Sequence, residues 1–144
     1  MHGHHYAELL EIEKLIFEIS NELTVHMKKE ELILFPFIKK LVHAKREHTK
    51  VEVPHFGTVN NPIKMMEEEH DHAGEAFRTI AKLTHNYQTP EGACNTFKAL
   101  YAKLEEFQDD LHQHVYLENN ILFPKAKQLE LEVNEESSNF NDLS

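Results

Sequence analysis

Apolar residues return at alternating steps of three and four along most of this 144-residue chain, which is the period of one face of an α-helix. From Tyr6 to about Ala44 the stripe reads Leu9, Ile12, Ile16, Ile19, Leu23, His26, Glu30, Ile33 and Phe37. Pro36 falls where a helix would kink or stop. The apolar pattern goes on past it through Phe37, Ile38, Leu41 and Val42, so a kink or a fresh turn is expected there, not an end. Residues 46–62 carry two prolines, a glycine and an Asn-Asn pair with no helical period, and read as a connection. Pro62 suits the first position of the next helix, with Asn61 as its cap.

A second helix is predicted from about Ile63 to His85, on the stripe Ile63, Met66, His70, Ala73, Phe77 and Ile80. After a turn, Thr89-Pro90-Glu91 has the form of a helix start. The third helix then runs from about Pro90 to Leu129 on Leu100, Leu104, Phe107, Leu111, His114, Glu118 and Ile121. The pattern therefore predicts an all-α domain over residues 1–130, an up-down bundle with three long helices. From Leu131 the chain turns acidic and rich in serine and asparagine, so residues 131–144 are expected to form a disordered tail.

Histidine and glutamate break these stripes. His26–Pro36 reads HMKKEELILFP and His114–Pro124 reads HVYLENNILFP. Each copy has His, Glu four residues on, and then Ile-Leu-Phe-Pro. Residues i and i+4 share a helix face, so each copy aims an imidazole and a carboxylate at the core. The second helix adds His70 on its own stripe. Core histidines satisfied by hydrogen bonds are one way to explain such positions. Two buried glutamates with no Lys or Arg on the same stripes would, however, stand uncompensated. Three stripes broken in the same manner favour a dinuclear metal centre, for which imidazoles and bridging carboxylates are suited donors. His72 and His112 lie off the stripes. His43, His48, His55 and His85 sit at helix ends or in the connection, and solvent is expected around them. Cys94 reads as a small core or boundary residue.

Composition narrows the role. A net charge of −10 argues against nucleic-acid backbones and anionic membrane surfaces as partners. One cysteine forms no internal disulfide, in keeping with a reducing cytoplasm. No apolar run reaches the ~20 residues of a membrane span, and the N-terminus has no secretory pattern. No Ser-His-Asp or Cys-His pair and no Gly-rich phosphate loop is present, so there is no hydrolase or transferase signature.

HMKKEELILFP, FGTVNNPIKMMEEEHDHAGE and DDLHQHVYLENNILFPKA closely resemble the hemerythrin-like domain of the repair-of-iron-centres family, over roughly His2 to Gln128. The resemblance implies two iron ions, with zinc as a substitute, held by His26, Glu30, His70, His114 and Glu118, the glutamates bridging. Glu69 matches an acid beside the site, and His2-Gly3 resembles a Val-His-Gly segment whose histidine is also a ligand. It further implies protection or repair of iron–sulfur proteins under oxidative or nitrosative stress, with oxygen or nitric oxide as ligand and redox activity toward nitric oxide or peroxide. Oxygen binding or sensing, and metal storage, are the alternatives. Two departures stand out: the family's small cysteine-bearing domain and its first bundle helix, which carries one more histidine, have no counterpart here. A three-helix remainder would expose its stripes, so a homo-oligomer is expected, the N-terminal histidines of one chain completing the site of another.

Overall fold

A computed structural model describes the backbone of residues 3–89 and 91–142 and the side chains of residues 7–89 and 91–138. Every element among them is helical: α1 (Gly3–Lys29), a π turn (Glu30–Leu34), α2 (Phe35–Glu47), α3 (Asn60–Leu83), α4 (Asn95–Leu117), a second π turn (Glu118–Leu122) and α5 (Phe123–Asp142). Each π turn joins its flanking helices without a break, so the chain makes three long rods, in agreement with the all-α reading. No described helix is long and apolar enough to cross a membrane.

The two π turns occupy equivalent places in the repeated motif. Each begins on the glutamate and ends one residue before Phe-Pro. Phe35 donates its N–H to the Glu30 carbonyl, and Phe123 donates to that of Glu118, five residues back where an α-helix would reach four. The wider turn displaces the buried stripe. Ile33 is 38% exposed while Leu34 is 1% exposed, and Ile121 is 44% exposed while Phe123 is 1% exposed. Both isoleucines expected in the core are thus turned toward solvent: in the first rod Leu34, four residues past Glu30, is buried instead, and in the third the buried face steps by five from Glu118 to Phe123.

By its internal contacts the chain divides into two compact units, Met1–Thr24 with Glu69–Val115, and Val25–Glu68 with Tyr116–Ser144. The first has a core of Ile12, Ile19, Phe77, Ile80, Tyr101 and Leu104. Here α4 differs in part from expectation. Leu104 is buried as its stripe requires, but Tyr101 faces inward beside it, and this rotation leaves Leu100 and Phe107 more than a third exposed.

The second unit packs Leu34, Phe37 and Leu41 of the first rod with Val59, Ile63 and Met66 around the start of α3, and with Phe123, Ala126 and Val133 of α5. α2 ends at His48, whose φ of 55° is left-handed and whose N–H reaches the Ala44 carbonyl. Asn61 is not the cap of α3. Its side-chain amide donates to the Phe56 carbonyl, and the Thr58 hydroxyl accepts from the Asn60 N–H. The buried Glu130 carboxylate completes the cap by accepting from the Thr58 hydroxyl and from the Val59 N–H, the latter at 2.8 Å, where the helix dipole favours an anion.

Two boundaries are corrected. The third rod starts at Asn95, since a turn at Glu91–Gly92, with Gly92 at φ 81°, precedes it; Pro90 lies outside the described residues. The tail expected from Leu131 is the end of α5 as far as Asp142. An apolar contact and an ion pair hold it: Val133 is buried, and the Lys45 ammonium sits 2.8 Å from Glu136 and 3.6 Å from Glu132.

Candidate metal centre

His26 lies in the last turn of α1, and Glu30 opens the first π turn. The Nε2 of His26 stands 2.8 Å from Glu30 Oε1 and 3.9 Å from Oε1 of Glu118, which opens the other π turn. All three side chains are buried. Burial pushes the Glu30 carboxyl above the ordinary glutamate range, the imidazole of His26 pulls it down, and Glu118 pushes it up again. A carboxyl in that setting holds a proton, or a cation in its place.

His70 is the second residue past the division between units and stands one turn beyond Met66 on unbroken α3. It too is buried. His26, Glu30, His70 and Glu118 each offer a ligand atom, and these atoms lie within 4.8 Å of one another. Two acids and two imidazoles suit a divalent or trivalent metal ion whose charge offsets the buried carboxylates. The donor set therefore fits a metal cation.

All four were marked by the sequence stripes. His114 is exposed, since the rotation that buries Tyr101 and Leu104 turns outward the face shared by Leu100, Phe107 and His114. Glu69, next to His70 in the chain, is half-buried. His2 lies outside the described residues. Off-stripe His72 pairs at 2.8 Å with Glu22 on an exposed surface, and His43, His48, His55, His85 and His112 are exposed as expected. Cys94 is exposed, contrary to its reading as a core or boundary residue.

Comparison with known proteins bears on this donor set. The family described as "Hemerythrin HHE cation binding domain" matches residues 1–126. Among curated proteins, the "Iron-sulfur cluster repair protein YtfE" of Pectobacterium carotovorum subsp. carotovorum (strain PC1) is 46% identical over 108 residues, 75% of this chain and 43% of that protein. The proteins of the same name from Yersinia pseudotuberculosis serotype IB (strain PB1/+) and Yersinia pestis (strain Pestoides F) are 44% identical over the same shares. The chain thus spans less than half the length of the curated relatives it matches.

Proposed function

Because this chain belongs to the hemerythrin HHE cation-binding family, we propose that it holds a carboxylate-bridged pair of non-haem iron ions and serves the repair or protection of iron–sulfur centres under oxidative or nitrosative stress. The observation that carries the reading is the buried group of His26, Glu30, His70 and Glu118. The names of the relatives supply the physiological direction.

In this reading Glu30 and Glu118 bridge, and His26 and His70 donate as neutral imidazoles. His114 stands at the solvent edge one turn before Glu118, and His2 is the sixth donor. Glu69 lies beside the site and steadies a ligand. When bound, iron with an exchangeable position supplies redox change and a seat for oxygen, nitric oxide or peroxide. The chain's own part is to hold the donors and keep bulk water away, which Leu34, Met66 and Phe123 do as buried members of the adjoining core.

The protein works in the cytoplasm, as a homo-oligomer whose second copy covers the half-exposed Leu100, Phe107 and Ile121. A monomeric mass for the folded, metal-loaded protein would remove that part of the reading.

Metal analysis with absorption spectroscopy on the purified protein tests the core of the proposal. About two irons per complete site are expected, with consumption of nitric oxide or transfer of iron to an apo-cluster protein. An optical band that appears with oxygen and disappears on deoxygenation, without either activity, would favour an oxygen-binding module instead. Failure to hold iron would reject the reading.

A further inference from the structure

The Ile-Leu-Phe-Pro sequence stands just past the glutamate in both copies of the motif, and a bundle core by itself does not require proline there. A proline inside a helix normally costs stability, because it lacks the N–H that would bond four residues back and its ring presses on that carbonyl. Here the residues four back are Leu32 for Pro36 and Asn120 for Pro124. In both rods the residue before the proline skips the usual acceptor and bonds five back, to the carbonyl of Glu30 or Glu118. The glutamate is the first residue of the π turn in both cases, and in both its side chain is buried. Two turns, 88 residues apart in the chain when counted from Glu30 to Glu118, thus share position and hydrogen bond.

We infer that Pro36 and Pro124 are positioning residues for the two buried glutamates: each forbids the α-helical bond ahead of it, fixes the π turn, and thereby holds its carboxylate toward the other. The stripe shows what the device achieves. In the third rod the buried positions step by five, from Glu118 to Phe123, and continue at Ala126, Glu130 and Val133. On an unbroken α-helix, with about 100° per residue, Phe123 would stand roughly 140° around from Glu118. Glu118 and the α5 core could not then face the same interior. The π turn absorbs that angle, so one rod presents a ligand and a continuing apolar face to one side. Wide turns of this type are known to gather at functional sites.

The inference rests on the metal reading above for its purpose but not for its geometry, and the test separates the two. The variants are Pro36→Ala, Pro124→Ala and the double change, with Pro54→Ala in the connection as a control. Crystal structures of the metal-free double variant are expected to show α-helical bonds in place of both π turns, with Glu30 and Glu118 rotated off their present directions. Persistence of both π turns without proline would overturn the inference, whether or not the protein binds metal. Helix content and thermal stability of the metal-free double variant should hold or rise, since a helix-disfavouring residue is gone. Affinity for zinc, read by competition with a chromophoric chelator, should nevertheless fall on the order of tenfold or more, the size seen when support around a ligand is lost. Cobalt(II) substituted at the site should show a shifted visible spectrum. Zinc affinity and cobalt spectrum both equal to the parent protein would also overturn it. If the parent itself binds no metal, the function proposed above fails, and the structures of the variants still decide the role of the prolines.

Discussion

His26 Nε2 stands 2.8 Å from Glu30 Oε1, one helical turn further along the same rod, with both side chains buried. A surface pair of this kind would contribute little. In the interior the pair has to be satisfied, and Glu118 brings a second acid to within 3.9 Å of the same imidazole. A bound cation resolves the imbalance. Glu30→Ala and Glu118→Ala are each expected to lose most of the metal, measured as metal content of the purified variants, while remaining helical by circular dichroism. Full metal content in both would sink the bridging assignment.

The same imbalance predicts an unusual pH dependence for the metal-free protein. Burial, reinforced by Glu118, raises the Glu30 pKa against the opposing pull of His26. Between the ordinary glutamate range and the raised value, the folded state binds more protons at this position than the unfolded state. Stability contributed by Glu30 therefore rises as pH falls through that window, and is lost as pH climbs out of it. Glu30→Gln removes this dependence. Thermal melts of both metal-free proteins between about pH 5 and pH 8 should show the parent losing ground to the variant as pH increases. In the metal-loaded protein the trend reverses, because protons compete with the cation for the carboxylate. Parallel curves for the two metal-free proteins would count against the raised pKa.

Glu130 gives a prediction of purely structural kind. Its carboxylate takes hydrogen bonds from the Thr58 hydroxyl and the Val59 N–H at the head of α3. Glu130→Ala leaves those donors without this acceptor, and should cost about 2–3 kcal/mol in urea unfolding. Glu130→Gln keeps one carbonyl acceptor and should cost less. Removal of residues 131–144 should also destabilise, because it takes away buried Val133 and the Lys45–Glu136 pair. Unchanged stability after that truncation would mean that the last turns of α5 contribute nothing.

How much of this could be read from the chain depends on where the helix is regular. Along α3, which has no interruption, all six expected stripe positions from Ile63 to Ile80 are buried, His70 among them. In the first rod the stripe holds through Ile12, Ile19, His26, Glu30 and Phe37, with Leu34 buried in place of Ile33. In the third rod the buried face steps by five, from Glu118 to Phe123, across a hydrogen bond that residue spacing does not display. The exposure of His114 departs from its stripe for a different reason. Leu100, Phe107, His114 and Ile121 recur every seven residues, as a core seam does, yet all four are exposed. An apolar face and a buried face have the same period, and only the packing of Tyr101 and Leu104 tells them apart. Glu130 left no signal at all, since its partners lie some seventy residues earlier in an irregular segment.

The burial of Leu34 in place of Ile33 can be tested by a pair of neighbouring substitutions. The stripe expected for the first rod places Ile33 in the core, although Leu34, four residues from Glu30, shares its face equally well. Leu34 lies in the core of the second unit and Ile33 is half-exposed. Leu34→Ala should therefore cost roughly 2–5 kcal/mol, the range for deleting a fully buried leucine side chain. Ile33→Ala, which removes a side chain already partly in solvent, should cost about 1 kcal/mol or less. The third rod carries the same contrast, with Phe123→Ala expected at about 3–5 kcal/mol and Ile121→Ala again near 1 kcal/mol or below. Chemical unfolding of the four metal-free variants measures all of these on one scale. Metal content should follow the same order, because Leu34 and Phe123 flank the turns that carry Glu30 and Glu118. Equal losses within each pair would place the buried face between the two positions and contradict the burial of Leu34 and Phe123.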